Sequence, residues 1–474
     1  MAFNSLTFAM FLPIVLACHW TAPPRWRNVV LLVASYAFYG FWDWRFLGLL
    51  ALSTAVDFTV ARRLGRSDAP TTRRLLLGCS IFVNLGVLGL FKYAGFFADS
   101  LAELAQSGGI ELDQPTLDIL LPVGISFYTF QTMSYTIDVF RRRLKPTSDV
   151  VLFATYVAYF PQLVAGPIER AHNLLPRLAD TQRPRPDAAS VQSALGLILL
   201  GLFKKVVIAD GVAVVADRLF DDPTGVSSLA AAAGIIAFSI QIYGDFSGYT
   251  DIARGVSRLL GVELVVNFRQ PYLARNITDF WRRWHISLSD WLRDYLYIPL
   301  GGNRGGAAST YRNLLITMLL GGLWHGASWN FVAWGGLHGL YLVVHRRFFA
   351  DRAATAKTGD VQRLTLQDLP PVAGTFVLVS LTWVFFRASD FATSGQVFRA
   401  LAFQSGATDV GDLVLVAALG ALAFGVDVVA FSGRVTDDVA LRRPLPAGLV
   451  VGVALVFLIV FSGAAARPFV YFQF

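Results

Sequence analysis

Apolar stretches approaching the roughly 17–25 residues that cross a bilayer recur from one end of this 474-residue chain to the other. They run from Phe3 to Trp20, Asn28–Phe41, Phe46–Ala61, Leu75–Phe97, Leu117–Phe140 and Val150–Val164. They continue through Val191–Ala209, Leu229–Tyr243, Leu314–Leu323, Phe331–Val344, Val372–Phe386, Leu413–Phe431 and Ala447–Gly463. In lipid, a backbone without water partners is satisfied only within a helix or a closed barrel. No strand-like alternation supports a barrel, so the expected class is an all-α polytopic membrane protein. The shortest runs suit re-entrant or interfacial helices, which leaves about ten to twelve true spans. No Lys or Arg precedes the first run and no small-residue cleavage site follows it, so a retained helix is expected rather than a removable signal.

Composition agrees. Hydrophobic residues make up 55% and charged residues only 15%, against about 25% charged in soluble domains. Disorder, collagen-like fibres and coiled coils are excluded, and a water-soluble core would lack the polar surface to cover it. The 38 Phe, 15 Tyr and 11 Trp suit side chains facing lipid and its interfaces. A net charge of +8 invites a nucleic-acid partner, but the basic residues sit between apolar runs, where they retain loops at a membrane face. No nucleic acid is expected. Cys18 and Cys79 lie inside apolar stretches and read as small buried hydrophobes, with no disulfide or metal spacing.

Loop charge predicts orientation. Arg25 and Arg27, then Arg62, Arg63, Arg66, Arg73 and Arg74, then Arg141, Arg142, Arg143 and Lys145 occupy alternate loops. The intervening 98–118 loop carries Glu103, Glu111, Asp113 and Asp118 with no Lys or Arg. The positive-inside rule places the basic loops in the cytoplasm and the N-terminus outside. No linker divides the chain. It reads as a single membrane domain, with N-terminal helices over 1–165, a core over 166–345 and C-terminal helices over 346–474.

One region departs from the apolar pattern. Gln241 to Gly339 mixes apolar residues with many charges, Trp, Tyr and Gly. Charge at membrane depth is tolerated only within protein or beside a water-filled cavity. Trp281, Trp284, Leu288, Trp291 and Tyr295 recur at helical spacing, which predicts an amphipathic helix. Its other face would pair Asp279 with Arg282 or Arg283, and Asp290 with Arg293. Pro299 to Gly306 is Gly-rich, but its spacing matches no phosphate-binding fingerprint, and a connecting loop explains it better.

Histidine is scarce, six in all, and in this region His285 stands beside Trp284 and His325 between Trp324 and Gly326. An ionisable side chain inside a membrane protein is a functional candidate, and imidazole accepts a proton near neutral pH. A hydrogen-bonded packing role accounts for either one as well. His338 and His345, on the next predicted helix, are explained by an interior polar contact and an interfacial charge. No serine or cysteine nucleophile motif and no HExxH spacing occurs, so no metal site is expected.

With these residues in view, the chain resembles the membrane-bound O-acyltransferase (MBOAT) superfamily, in its bacterial alginate O-acetyltransferase branch. The matching blocks are Gln241–Tyr243 with Asp245–Ala253, Asn267-Phe268 with Pro271-Tyr272, Phe280 to Ser289, Trp291 to Arg304, and Gly322 to Ala327. Pro122 to Tyr128, Phe160 to Ile168 and the C-terminal Pro468 to Phe474 match as well. Gly244 departs from the family, where a larger residue is common. The resemblance implies a many-helix fold around a central tunnel, with His325 catalytic and His285 a second active-site histidine. It implies acetyl transfer from a cytoplasmic thioester, acetyl-CoA or an acyl carrier, toward an exported polysaccharide such as alginate.

It further implies a multi-pass protein of the inner membrane, in contact with lipid and periplasmic acetyltransferase partner proteins. Arg282, Arg283, Arg293 and Arg304 are candidates to meet the donor's phosphates, or else structural ion-pair partners. Two other readings stay open: D-alanyl transfer to teichoic acid from a carrier protein, and a non-enzymatic transporter or scaffold of a polysaccharide export complex.

Overall fold

Where a run is apolar and free of Pro, its backbone closes on itself. The computed structural model accordingly has helices as its regular elements, and the described residues form no strands beyond one isolated bridge between Val226 and Ala407. It describes residues 1–110, 120–349, 364–431, 444–461 and 467–470. The expected loop residues Glu111, Asp113 and Asp118 and the terminal 471–474 lie outside them. The chain falls into two compact units, Met1–Asp187 with Val256–Val265, and Ala188–Gly255 with Val266–Phe474.

In the first unit the helices are α1 (Leu6–Thr21), α2 (Arg27–Asp43), α3 (Leu47–Arg66), α4 (Pro70–Leu88) and α5 (Ala94–Ser107). They are followed by α6 (Ile125–Phe140), α7 (Val150–Ala158), α8 (Phe160–Leu163) and α9 (Ala171–Ala179). A polar cluster ties three of them together. Asp57 on α3 accepts hydrogen bonds from Ser80 and Asn84 on α4, the latter at 2.8 Å, and from Thr136 on α6 at 3.0 Å. Away from water, such a carboxylate has to find all its donors inside the protein. Arg73, expected only as loop charge, is buried instead. Its guanidinium donates to the terminal carbonyls of α3 and α6, including Leu64 and Phe140 (2.7 Å). Those carbonyls have no partner within their own helices, and a cation there also suits the helix dipole.

The second unit holds α10 (Ala188–Leu202), α11 (Asp210–Asp221) and the long α12 (Ser228–Leu259), whose last residues belong to the first unit. It continues with α13 (Ile277–Trp281), α14 (Ile286–Leu292), α15 (Gly306–His325) and α16 (Trp329–Phe348). Last come α17 (Leu369–Arg387), α18 (Phe391–Phe403), α19 (Val410–Phe431) and α20 (Pro444–Phe461). Glycine brings α10 and α12 backbone to backbone. A Cβ added at Gly248 would lie 2.7 Å from the Gly201 carbonyl oxygen, and one at Gly255 2.6 Å from that of Ala194. Gly244 continues the stripe, since a Cβ there would meet the Lys204 carbonyl oxygen at 3.1 Å. Small residues of this kind let helices approach where no hydrophobic force drives them together.

Below α10 the helix widens into a π-type turn, Phe203–Ala209, that projects Lys205 inward. Its Nζ lies 2.6 Å from Asp245 and 2.9 Å from Asp210, and it sits 4.7 Å from the Phe469 ring. Asp245 also accepts the Val470 N–H at 2.6 Å, while Arg467 and Arg387 share Asp217. Residues 467–470 are thereby pinned to the helices by buried charge.

Five helical segments are long and apolar enough to cross a membrane, judged by length and composition among the described residues. They are Pro24–Arg66, Pro70–Ser107, Ser228–Leu259, Leu366–Arg387 and Val410–Phe431, with Leu6–Thr21, Val150–Leu163 and Val451–Phe461 shorter. That is fewer than the expected ten to twelve. The runs 28–41 and 46–61 fall in one segment joined by a tight turn, and α15 and α16 carry too many polar residues to qualify. Cys18 and Cys79 are a correction to the expectation of buried side chains. Both are exposed on helix surfaces, beside apolar neighbours such as Ile14 and Phe82 that suit lipid.

Replacing Lys205 with Met removes the cation from an ion cluster in which Lys205 and Asp245 are buried. The variant is expected to lose about 3–5 kcal/mol of stability, read as a lowered unfolding midpoint in detergent.

Candidate active site

The site is assembled from two stretches of the second unit. The first begins at Asn267, passes through a tight turn at Pro271–Leu273, and returns through α13 to His285. Its ends run side by side: the Arg269 N–H donates to the Arg283 carbonyl at 3.0 Å, and the Ile286 N–H to the Asn267 carbonyl at 2.9 Å. The single amphipathic helix expected from Trp281 to Tyr295 is therefore broken. Ile286 gives its N–H to Asn267 rather than to the preceding turn, and His285 adopts the left-handed conformation, φ 42°. Strained backbone of this kind persists only where its surroundings hold it. Trp284, Leu288 and Trp291 are buried as the spacing predicts.

The second stretch is the α15–α16 hairpin. α15 ends on His325, Gly326 is extended, and Ser328 caps α16 by accepting the Asn330 N–H at 3.2 Å. The helices touch through glycines. A Cβ on Gly322 or Gly335 would fall inside 3.0 Å of the opposing backbone, and one on Gly326 inside the Phe331 ring's contact distance. Asn330 then donates to the Ala388 carbonyl at 3.0 Å, tying the hairpin to the end of α17.

These stretches bring His285 and His325 together, with ring centroids 6.3 Å apart. His285 is fully buried and His325 is 5% exposed. Phe246 packs edge-on to His285 at 4.8 Å, and Trp324 lies 6.0 Å away. Trp334 and Phe386 meet the His325 ring at 5.1 and 5.3 Å. Burial pushes the His285 imidazole down to about 3, which keeps it neutral at physiological pH. The neutral His285 imidazole, in an aromatic enclosure, can accept a hydrogen bond without competition from bulk water. Residue spacing alone did not single out Phe246, Trp334 or Phe386, because they reach the site from α12, α16 and α17.

The remaining sequence candidates divide. Arg283 pairs with Asp279 at 2.8 Å, and Arg293 with Asp290 and Asp294, both at 2.7 Å. Arg282 and Arg304 are exposed and make no ion pair among the described residues. The Gly-rich loop is a turn whose Gly302 carbonyl accepts from Asn313 at 3.1 Å. His338 is fully buried, 3.0 Å from the Thr382 hydroxyl, and His345 lies 3.0 Å from that of Thr278. Gly335→Ala is expected to destabilise the protein by about 1–3 kcal/mol as α15 and α16 are forced apart. Gly374→Ala on α17, with open space around it, leaves the unfolding temperature unchanged or higher.

The sequence model of the MBOAT, membrane-bound O-acyltransferase family matches residues 137–387. A probable alginate O-acetylase, AlgI, of Azotobacter vinelandii is 43% identical over 419 residues, 87% of this chain and 80% of its own length. A peptidoglycan O-acetyltransferase of Helicobacter pylori is 36% identical over 407 residues, 81% of this chain and 75% of its own. A teichoic acid D-alanyltransferase of Bacillus subtilis is 27% identical over 245 residues, 49% and 61% of the two chains. With its apolar helices, this chain is an integral membrane O-acyltransferase and belongs to the membrane-bound O-acyltransferase family.

Proposed function

We propose that this protein moves an acetyl group from a cytoplasmic thioester, acetyl-CoA, toward the hydroxyls of an exported polysaccharide such as alginate, with His325 as the general base. The carrying observation is the pair of buried imidazoles, 6.3 Å apart, in a chain 43% identical to an alginate O-acetylase. The peptidoglycan relative also transfers acetyl, which favours a sugar hydroxyl as the final acceptor. D-alanyl transfer is the weaker reading, since that likeness covers only 49% of the chain.

The chemistry follows from the groups present. His325 takes the hydroxyl proton as the acceptor oxygen attacks the thioester carbonyl carbon. The tetrahedral intermediate collapses, the carbon–sulfur bond breaks, and the leaving thiolate recovers the proton. His285 orients donor or acceptor beside it. In this reading a tunnel leads from the cytoplasm to the histidines, and the protein sits in the inner membrane with its N-terminus outside. Basic loops 62–74 and 141–145 then face the cytoplasm, and a periplasmic partner protein completes the transfer. Arg282 and Arg304, the unpaired members of the set, suit the phosphates of coenzyme A.

Purified protein with radiolabelled acetyl-CoA tests the reading through thiol release and acetyl transfer. His325→Ala is expected to lower the rate by about 100-fold or more, and an undiminished rate overturns the assignment. Activity with a D-alanyl carrier protein and none with acetyl-CoA would select the alternative. Arg282→Ala with Arg304→Ala is expected to raise KM for acetyl-CoA by about tenfold with kcat unchanged.

A further inference from the structure

Asn267 falls in one of the matching sequence blocks, which by itself assigns it no role. It is 1% exposed, and its side-chain oxygen faces three groups at once. These are the Ser287 backbone N–H at 3.1 Å, the Ser287 hydroxyl at 2.9 Å, and Nδ1 of His285 at 3.3 Å. A backbone N–H can only donate, so the atom facing it has to be the amide oxygen, which fixes the orientation of the Asn267 side chain. An amide oxygen carries no hydrogen. Nδ1 of His285 therefore holds the proton in this contact, and the lone pair of the neutral ring lies on Nε2. The Ile286 N–H to Asn267 carbonyl bond (2.9 Å) holds the two residues in register despite the left-handed backbone at His285.

We infer that Asn267 is the positioning residue of this site: its Oδ1 locks His285 as the Nδ1–H tautomer and leaves Nε2 to accept a hydrogen bond or proton from the reacting groups. The inference rests on reading His285 and His325 as the active-site pair. It also assigns His285 a direction, making it an acceptor rather than a donor to developing negative charge. The rings packed around His285 are Phe246, Phe268 and Trp324, and the titratable group facing it is His325. Burial is the larger influence on its proton affinity and lowers it, while a backbone hydrogen bond raises it.

Asn267→Asp is the discriminating variant. It keeps all three acceptor contacts and replaces Nδ2, which is buried and meets no acceptor among the described residues, with oxygen. The new carboxylate stabilises the imidazolium, so the neutral form is lost at a higher pH as pH falls. The acid limb of the kcat profile is expected to move up by about one unit, a tenfold lower rate on that limb, while the alkaline plateau is retained. Asn267→Leu, which removes the acceptor, is expected to lose about 10–100-fold across the whole profile. A profile of Asn267→Asp superimposable on wild type overturns the inference.

The tautomer is read independently by nitrogen-15 NMR of histidine-labelled wild-type protein, with His285→Gln identifying the resonance. Protonated Nδ1 with unprotonated Nε2 is the expected pattern, and the reverse overturns the inference even if Asn267 variants fail to fold. Because this measurement needs no acyl transfer, a failure of the acetyltransferase reading, seen as full activity in His325→Ala, is distinguishable from a failure of the tautomer assignment.

Discussion

Backbone contact between α15 and α16 is the constraint on which the site depends. Gly322 and Gly335 let the two helices meet without side chains between them, and Gly326 lets the connection turn beneath the Phe331 ring. His325 ends α15 at this point, so its place in the interior is set by how closely the hairpin closes. Close-packed interiors transmit small displacements, and an added methyl group here shifts His325 rather than being absorbed. The α10–α12 contact repeats the device at Gly201, Gly248 and Gly255.

The second constraint is the scarcity of water. Lys205 satisfies Asp245 and Asp210 together, Asp57 is served by three side chains from two neighbouring helices, and Arg73 gathers helix-end carbonyls. Each is a polar group that would be costly alone and is tolerated because the chain supplies its partners. The paired histidines, His285 and His325, follow a different rule. Aromatic rings surround them, and burial favours the neutral form of the His285 imidazole. Structural charge, in either unit, and the paired imidazoles of the second thus occupy different kinds of environment.

Much of this was legible from residue order. The apolar runs dictated helices, since lipid leaves the backbone no alternative. His285 and His325 stood out because ionisable residues are rare in such surroundings. Arg283 and Arg293 were legible as ion-pair partners because their carboxylates lie three or four residues away on the same helical face. The regular period from Trp281 to Tyr295 misled at one point, for periodicity carries no signal that Ile286 would give its N–H to Asn267. Cys18 and Cys79 misled for a related reason. An apolar context does not distinguish a side chain facing lipid from one facing protein.

Sequence by itself determined that this chain is helical, built for a membrane, and equipped with two isolated histidines, because those properties depend on local composition and spacing. Tertiary structure alone decided that the histidines meet, that Asn267 sets the proton on one of them, and that Lys205 anchors residues 467–470. Asn267 and Ser287 lie 20 residues apart, and Asp245 and Val470 225 apart. Contacts across such separations are set by how helices pack, and helix packing here is governed by glycine positions whose meaning appears only once the neighbouring backbone is in place.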